Sequence, residues 1–220
     1  VFNKGLQYFM TFSIVGYSES ELKLGVAVAT AMPNVGNSVP HVEPGIVAIA
    51  TQANCNRFFG IKGINLIKSG IKPNEVIKSL IKSDPCYDTR QIVMIDSKNR
   101  TAAFTGNKTK DWSGHKIGNN FIVAGNLITC EKVLVNMFEI FIQYEGCLEE
   151  KLLNALDAGN QEGGDKRGIR SSALVVERDK YDKNGRPYIN LRVDEHEKPI
   201  NELKRLLDIN RVYRKELDKL

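Results

Sequence analysis

Thr11 follows Met10 and opens the run Thr11-Phe12-Ser13-Ile14-Val15-Gly16. If translation starts at Met10, removal of that methionine leaves a threonine at the amino terminus of a β-strand. Such a residue carries a hydroxyl nucleophile and a proton acceptor, its own α-amine, on one set of atoms. An α-amine titrates near about 7.7–8, so it can take the hydroxyl proton close to neutrality. Thr11 is also a β-branched residue of the kind that strands favour.

Other polar groups stand at strand ends. Residues 163–173 read Gly-Gly-Asp-Lys-Arg-Gly-Ile-Arg-Ser-Ser-Ala. The glycines let backbone N–H groups face a ligand closely. Asp165 can orient an amine or a hydroxyl, and Ser171 or Ser172 can extend a hydrogen-bond network to an amino-terminal nitrogen. Arg167 can grip a carboxylate through two parallel bonds; its alternative is to pair with Asp165 and fix the loop. Thr51-Gln52-Ala53-Asn54 ends an apolar run, where polar side chains bind ligands or cap the next helix. Arg90 is a second anion anchor or a partner for Asp88. Asn126, after Gly125, is a candidate oxyanion donor, although turn geometry alone also accounts for asparagine there. Trp112, Gly114 and His115 suit a lid, a dimer contact or plain loop packing. Cys55 as a thiol nucleophile needs a base that its sequence neighbours do not supply. Gly60-Ile61-Lys62-Gly63 lacks the glycine spacing and terminal Lys-Ser/Thr of a phosphate loop.

The chain has 220 residues and a formal charge of +5, with basic and acidic residues interleaved. No basic stripe of the kind that binds nucleic acid emerges. No apolar run approaches the roughly 18–20 residues of a membrane span. Residues 1–10 lack the apolar core and cleavage site of a secretory signal and are read as a leader or an over-extended start, leaving 11–220 as one domain. Cys55, Cys86, Cys130 and Cys147 form no CxxC pair, and His41, His115 and His196 are far apart. Neither a metal site nor a cofactor is expected, and free thiols fit a reducing, cytoplasmic setting.

The elements that must position these groups follow from periodicity. Strands are expected at 11–17 and 24–30, where Leu24, Val26 and Val28 alternate with Gly25, Ala27 and Ala29, so both faces are buried. A third apolar run, 46–52, follows a loop around Pro33, Pro40 and Pro44. Helices at 57–69, with Phe58, Ile61, Ile64 and Ile67 on one face, and from Pro73 to Asp84-Pro85 come next. Strands at 91–95, 101–105, 115–117 and 121–124 precede helices at 131–144 and 148–161, the second closed by Gly163-Gly164. Strands at 172–177 and 188–193 flank an Asn184-Gly185 turn, and a last helix starts near Pro199. Two sheets covered by helices on both outer faces would bury all of these elements, giving an α+β, four-layer αββα sandwich. A two-layer α+β domain is the alternative.

Taken in order, Thr11–Gly16, Leu24–Ala29, Ala50–Ala53, Asp88–Gln91, Ala103–Gly106, Trp112–His115, Gly125-Asn126, Gly163–Gly168 and Leu191–Asp194 resemble the family catalogued as domain of unknown function 1028. That family is similar to the N-terminal nucleophile (Ntn) hydrolases, the amide-cleaving group that includes proteasome β subunits and penicillin acylases. The resemblance implies an Ntn-hydrolase-like αββα fold. The expected function is hydrolysis of an amide bond in a small or peptide-like substrate. Thr11 attacks, Asn126 and backbone N–H groups hold the oxyanion, Asp165 and Ser171 position the amine, and Thr51, Gln52, Arg90 and Arg167 bind substrate. The alternative is a non-catalytic small-molecule-binding or scaffolding protein on the same fold. Neither nucleic acid nor membrane is an expected partner, and self-association through the Trp112 loop and the final helix is.

Overall fold

The computed structural model describes residues 11–110 and 112–217; the segment read as a leader, residues 1–10, lies outside them. The chain runs β1 (Thr11–Ser18), β2 (Lys23–Thr30), β3 (Pro40–Glu43), β4 (Val47–Ala53), α1 (Arg57–Lys68), α2 (Pro73–Lys82), β5 (Arg90–Asp96), β6 (Thr101–Thr105), β7 (Gly114–Ile117), β8 (Phe121–Asn126), α3 (Lys132–Gln143), α4 (Leu148–Gln161), β9 (Ser171–Arg178), β10 (Ile189–Val193) and α5 (Pro199–Leu217). A six-stranded sheet has the order β10-β9-β2-β1-β8-β7, and a four-stranded sheet the order β3-β4-β5-β6.

Three apolar clusters define four layers. Val15, Val26 and Val28 of the large sheet meet Ala48, Ala50 and Val93 of the small one. On the outer side of the large sheet, Phe12, Ile14 and Ala27 pack under Met137, Leu152 and Leu203 of α3, α4 and α5. On the outer side of the small sheet, Ile49, Ile92 and Met94 pack under Phe59, Val76 and Leu80 of α1 and α2. This is the αββα sandwich that the element order predicts. The alternation in β2 has its cause here: the bulky face enters the inter-sheet core, and the small face admits α4. A Cβ added at Gly25 would lie 2.6 Å from Leu152 Cδ1, so the helix approaches as far as glycine permits.

Two local expectations fail. β3 lies within the stretch read as loop, because proline is compatible with the first position of an edge strand. In α1 the buried residues are Phe59, Gly60, Gly63 and Ile67, while Phe58 and Ile61 are 74% and 50% exposed. Half of the predicted stripe is therefore turned away, while Ile67 is buried and Ile64 packs against the same core. Glycine is invisible to a hydrophobic pattern, yet it lets α1 settle on the small sheet; a Cβ at Gly60 would come 2.2 Å from His41 Cγ.

At the β1–β2 turn the buried Lys23 ammonium donates to Glu21 at 2.7 Å and to Glu149 at 3.0 Å. The Tyr188 hydroxyl donates to Glu149 at 2.9 Å. Burial alone would raise the Glu149 carboxyl, but hydrogen bonds from its own backbone, Lys23 and Tyr188 outweigh it and hold the group below its ordinary value. A carboxylate depressed in the folded state stabilises the fold above its unfolded pKa, about 4.3, and loses that contribution as pH falls through the folded value. Urea unfolding from pH 7 to pH 3 is expected to show this acid limb, and Glu149→Gln to flatten it.

Among the described residues no helix is long and apolar enough to cross a membrane. No group of three or more His, Cys, Asp and Glu residues that could hold a metal occurs among them either.

Candidate functional site

Cross-strand register builds a polar row at one end of the large sheet. Asn126, Thr11, Thr30 and Ser171 lie side by side on β8, β1, β2 and β9. Side chains alternate along a strand, so Thr11 and Ser13 share the face of Val15, which points at the small sheet. The small sheet presents its own row, with Gln52 opposite Gln91 and Gln91 opposite Thr105 on β4, β5 and β6. Thr11, Ser13, Thr30, Gln52, Gln91, Asn126 and Ser171 are all at most 2% exposed.

A ladder of side-chain amides joins the rows. The Ser13 hydroxyl donates to Gln52 Oε1 at 2.7 Å, and Gln52 Nε2 donates to Gln91 Oε1 at 2.6 Å. Asn126 Nδ2 donates to that same oxygen at 3.1 Å and to the Thr11 carbonyl at 3.3 Å. Gln91 Nε2 faces Thr105 Oγ1, the Gly114 carbonyl and the Gly125 carbonyl, each at 2.9 Å. Thr105 Oγ1 lies 2.8 Å from His115 Nδ1, and burial pushes that imidazole below its ordinary pKa. Buried amides left unpaired are costly, so Gln91 acts as the hub that fixes the sheet spacing at this end.

Thr11 Oγ1 donates to Thr30 Oγ1 at 3.5 Å. Both residues line a cavity of about 20 Å³, walled also by Met32, Val35, Val39 and Cys55. A second, shallower recess of about 10 Å³ lies beside Asn126, between Asn54, Thr89 and the Lys108–Lys110 segment. Its lining includes Ala53 and Leu127, at φ 66° and 54°, the left-handed region that non-glycine residues rarely adopt. Each directly follows a member of the polar rows, Gln52 or Asn126. Strain of this kind concentrates where a site must be held in place.

The 163–171 loop supports the row that contains Thr11. Asp165 accepts from the Ala31 N–H and the Arg167 N–H, both at 2.9 Å, and pairs with the Arg167 guanidinium at 3.3 Å. The Ser171 hydroxyl donates to the Met32 carbonyl at 2.6 Å and accepts from the Val35 N–H at 3.1 Å. Together Asp165 and Ser171 clamp the segment after β2 that forms the cavity wall. Arg167 thus follows the pairing alternative, and its Nη1 also lies 3.8 Å from Met32 Sδ.

The remaining sequence candidates are placed as follows. Arg90 pairs with Asp84 at 2.8 Å rather than with Asp88, which holds Lys108 at 2.6 Å, and Arg90 also donates to the Asn54 carbonyl at the recess wall. Thr51 lies on the opposite face of β4 from Gln52, where its hydroxyl meets Cys55 Sγ at 3.4 Å. Burial pushes the Cys55 thiol up, and it donates to the Ser38 and Thr51 carbonyls, so it is a neutral thiol without a base. Trp112 packs against the helix-side core. Thr30, Ser13, Gln91 and Thr105 escape the sequence reading; the available signal was polar residues at the same ends of otherwise apolar strands.

A larger groove, about 780 Å³, opens at the far end of β1, between the β1–β2 turn and the start of α4. Its main polar groups are internally engaged: Glu21 accepts from the Leu148 N–H at 2.9 Å, and the Lys151 ammonium sits 5.1 Å from the Phe141 ring.

Comparison with solved structures gives a protein of Silicibacter pomeroyi, SPO2555, described as carrying the DUF1028 family model. It has 28% identity, a TM-score of 0.83, and coverage of 90% of this chain and 85% of that one. Anbu (ancestral beta-subunit) from Yersinia bercovieri is more distant, at 10% identity and a TM-score of 0.45 over 94% and 96% of the two chains. Comparison with curated proteins gives no match. The model of the family of unknown function DUF1028 matches residues 11–203, from the candidate nucleophile through the first turn of α5, and the chain belongs to that family.

Proposed function

We propose that the protein is an N-terminal nucleophile amidohydrolase working through Thr11. The observation that carries the reading is the buried row that sets Thr11 beside Thr30 and Asn126 at the mouth between the two sheets. The reaction needs the Thr11 nitrogen as a free amine, because an amide nitrogen cannot accept the hydroxyl proton. Thr11 Oγ1 then adds to the amide carbonyl, and the α-amine takes the proton. Asn126 Nδ2 exchanges its long 3.3 Å bond to the Thr11 carbonyl for the oxyanion. Asp165 and Ser171 position the wall beside the nucleophile, Gln52 borders the substrate, Thr51 braces the Cys55 side of the cavity, and Arg90 and Arg167, paired with Asp84 and Asp165, offer N–H donors at the rim. No metal or organic cofactor enters the scheme. Self-association through the exposed Ile209, Val212 and Tyr213 of α5 and a cytoplasmic location belong to the same proposal; light scattering and cell fractionation test them.

The decisive comparison uses protein beginning at Thr11, verified by intact mass, against protein in which a residue still precedes it. The first is expected to hydrolyse members of a panel of N-acyl amino acids and small peptides, and the second to be inactive. Equal rates for both would remove the amine from the mechanism. A second reading, ligand binding without catalysis, draws on the engagement of both Asn126 amide hydrogens in the ladder. It predicts stabilisation by ligand with no turnover from either form.

A further inference from the structure

We propose that His115 is a positioning residue: as a neutral imidazole it holds Thr105 and, through Gln91, the aim of Asn126, and on gaining a proton it gives up that hold. Its catalytic consequence rests on the Thr11 reading; the ladder itself does not.

Groups that can only accept set the direction of the ladder. The Thr11 carbonyl fixes Asn126 Nδ2 as the atom that faces it, and the Gly114 and Gly125 carbonyls fix Gln91 Nε2 in the same way. Gln91 Oε1 is left to accept from Asn126 at 3.1 Å and from Gln52 at 2.6 Å. Gln91 Nε2 carries two hydrogens but faces three oxygens at 2.9 Å, the two carbonyls and Thr105 Oγ1. Thr105 therefore competes for a donor that the carbonyls already occupy, and its own hydroxyl hydrogen points elsewhere. The acceptor for that hydrogen is His115 Nδ1, at 2.8 Å. This bond assigns the imidazole proton to Nε2 and makes the ring neutral.

A proton on Nδ1 reverses the last bond. Nδ1–H then donates to Thr105 Oγ1, and the hydroxyl hydrogen loses its acceptor. The Gly114 and Gly125 carbonyls already hold Gln91. The hydroxyl must displace Gln91 from one of them or stay unpaired. Either result loosens the hub that gives Asn126 one of its two acceptors.

The surroundings of His115 suit such a device. It stands opposite Ala124 of β8, a residue of the inter-sheet core, so it faces the small sheet. Burial is what holds the imidazole below its ordinary value. β6 and β8 carry no titratable side chain. Arg90 and Asp96 of β5 are paired with Asp84 and Arg100. Lys116, on the other face of β7, approaches Glu131 at 3.9 Å, and α3 adds Lys132 and Glu139. On the loop before β7, Lys108 is paired with Asp88, and Lys110 is engaged as well.

The experiment takes isotope-labelled protein beginning at Thr11 from pH 8 to pH 5 by nuclear magnetic resonance. His115 is expected to carry its proton on Nε2 alone at pH 8 and to titrate below about 6.5, and the side-chain amide signals of Gln91 and Asn126 to move along the same curve. Hydrolysis of the N-acyl amino acid panel is followed over the same range. The Thr11 amine by itself imposes a loss of about tenfold per pH unit below its own titration, and His115 should steepen this towards about a hundredfold per unit below the imidazole's. His115→Asn places an amide oxygen near the position of Nδ1 and does not titrate. It should lose the steeper limb, keep the amine's, and exceed His115→Ala in activity at neutral pH. An Nδ1–H tautomer, amide signals that stay still through the His115 titration, or a steep limb that persists in His115→Asn overturns the role of His115 and leaves the Thr11 mechanism standing. Amide signals that follow His115 in a protein without turnover keep the role and remove the mechanism.

Discussion

Thr11→Ala is expected to lower amide hydrolysis by about 10⁴–10⁶-fold, the scale seen when a nucleophile acting as part of a unit is removed. The fold should barely register the change. The hydroxyl's bond to Thr30 is long, at 3.5 Å, and the backbone of β1 stays paired on both sides. Such a loss is worth about 1 kcal/mol or less, a shift of a few degrees in Tm. Thr11→Ser keeps both the hydroxyl and the amine, and should retain activity well above that of the alanine variant. The check is a steady-state rate on matched amino termini, with a circular-dichroism melt on each variant. Undiminished turnover by the alanine variant ends the nucleophile assignment, while a collapsed melt would show Thr11 to be structural.

Gln91→Leu is expected to give the largest loss of stability, about 3–5 kcal/mol, because it strands the amides of Gln52 and Asn126, at about 1–3 kcal/mol each, along with carbonyl acceptors in a dry interior. Urea unfolding measures it. Activity of the folded fraction should fall too, since Asn126 loses one of the two acceptors that aim it. Gln91→Glu separates packing from hydrogen bonding. Its buried carboxyl would face the Gly114 and Gly125 carbonyls, so its folded pKa is raised by burial and by those acceptors. The native state then binds more protons than the unfolded chain, so the variant's stability declines as pH rises above about 4.3. A pH-independent penalty would show that the hub acts through shape alone.

Much of the fold was legible because it depends on local patterns. Alternation in β2 announced a strand buried on both faces, and Gly163-Gly164 announced the end of α4. α1 was half misjudged because Phe59 and two glycines share its seat with Ile67 while Phe58 and Ile61 face out, and β3 was missed because proline signals loops more often than edge strands. At the site, loop residues rich in charge attracted attention: Asp165, Arg167 and Arg90 are all there, but each is engaged within the protein. Quiet residues were overlooked. Ser13, Thr30 and Gln91 are ordinary polar interruptions until register brings them together.

The order of strands and helices, the layered class and the hydroxyl at the head of β1 were determined by the amino-acid sequence, because period and turn chemistry act over a few residues at a time. Which side chains share a face across β8, β1, β2 and β9, and which amides of the small sheet answer them, was decided only by tertiary structure. Those neighbours are up to 141 positions apart, as Thr30 and Ser171 show, and only strand register and the meeting of two sheets bring them side by side. An amide carries no trace in its own sequence neighbourhood of the partner that will satisfy it; burial makes that partner obligatory, and the fold supplies it.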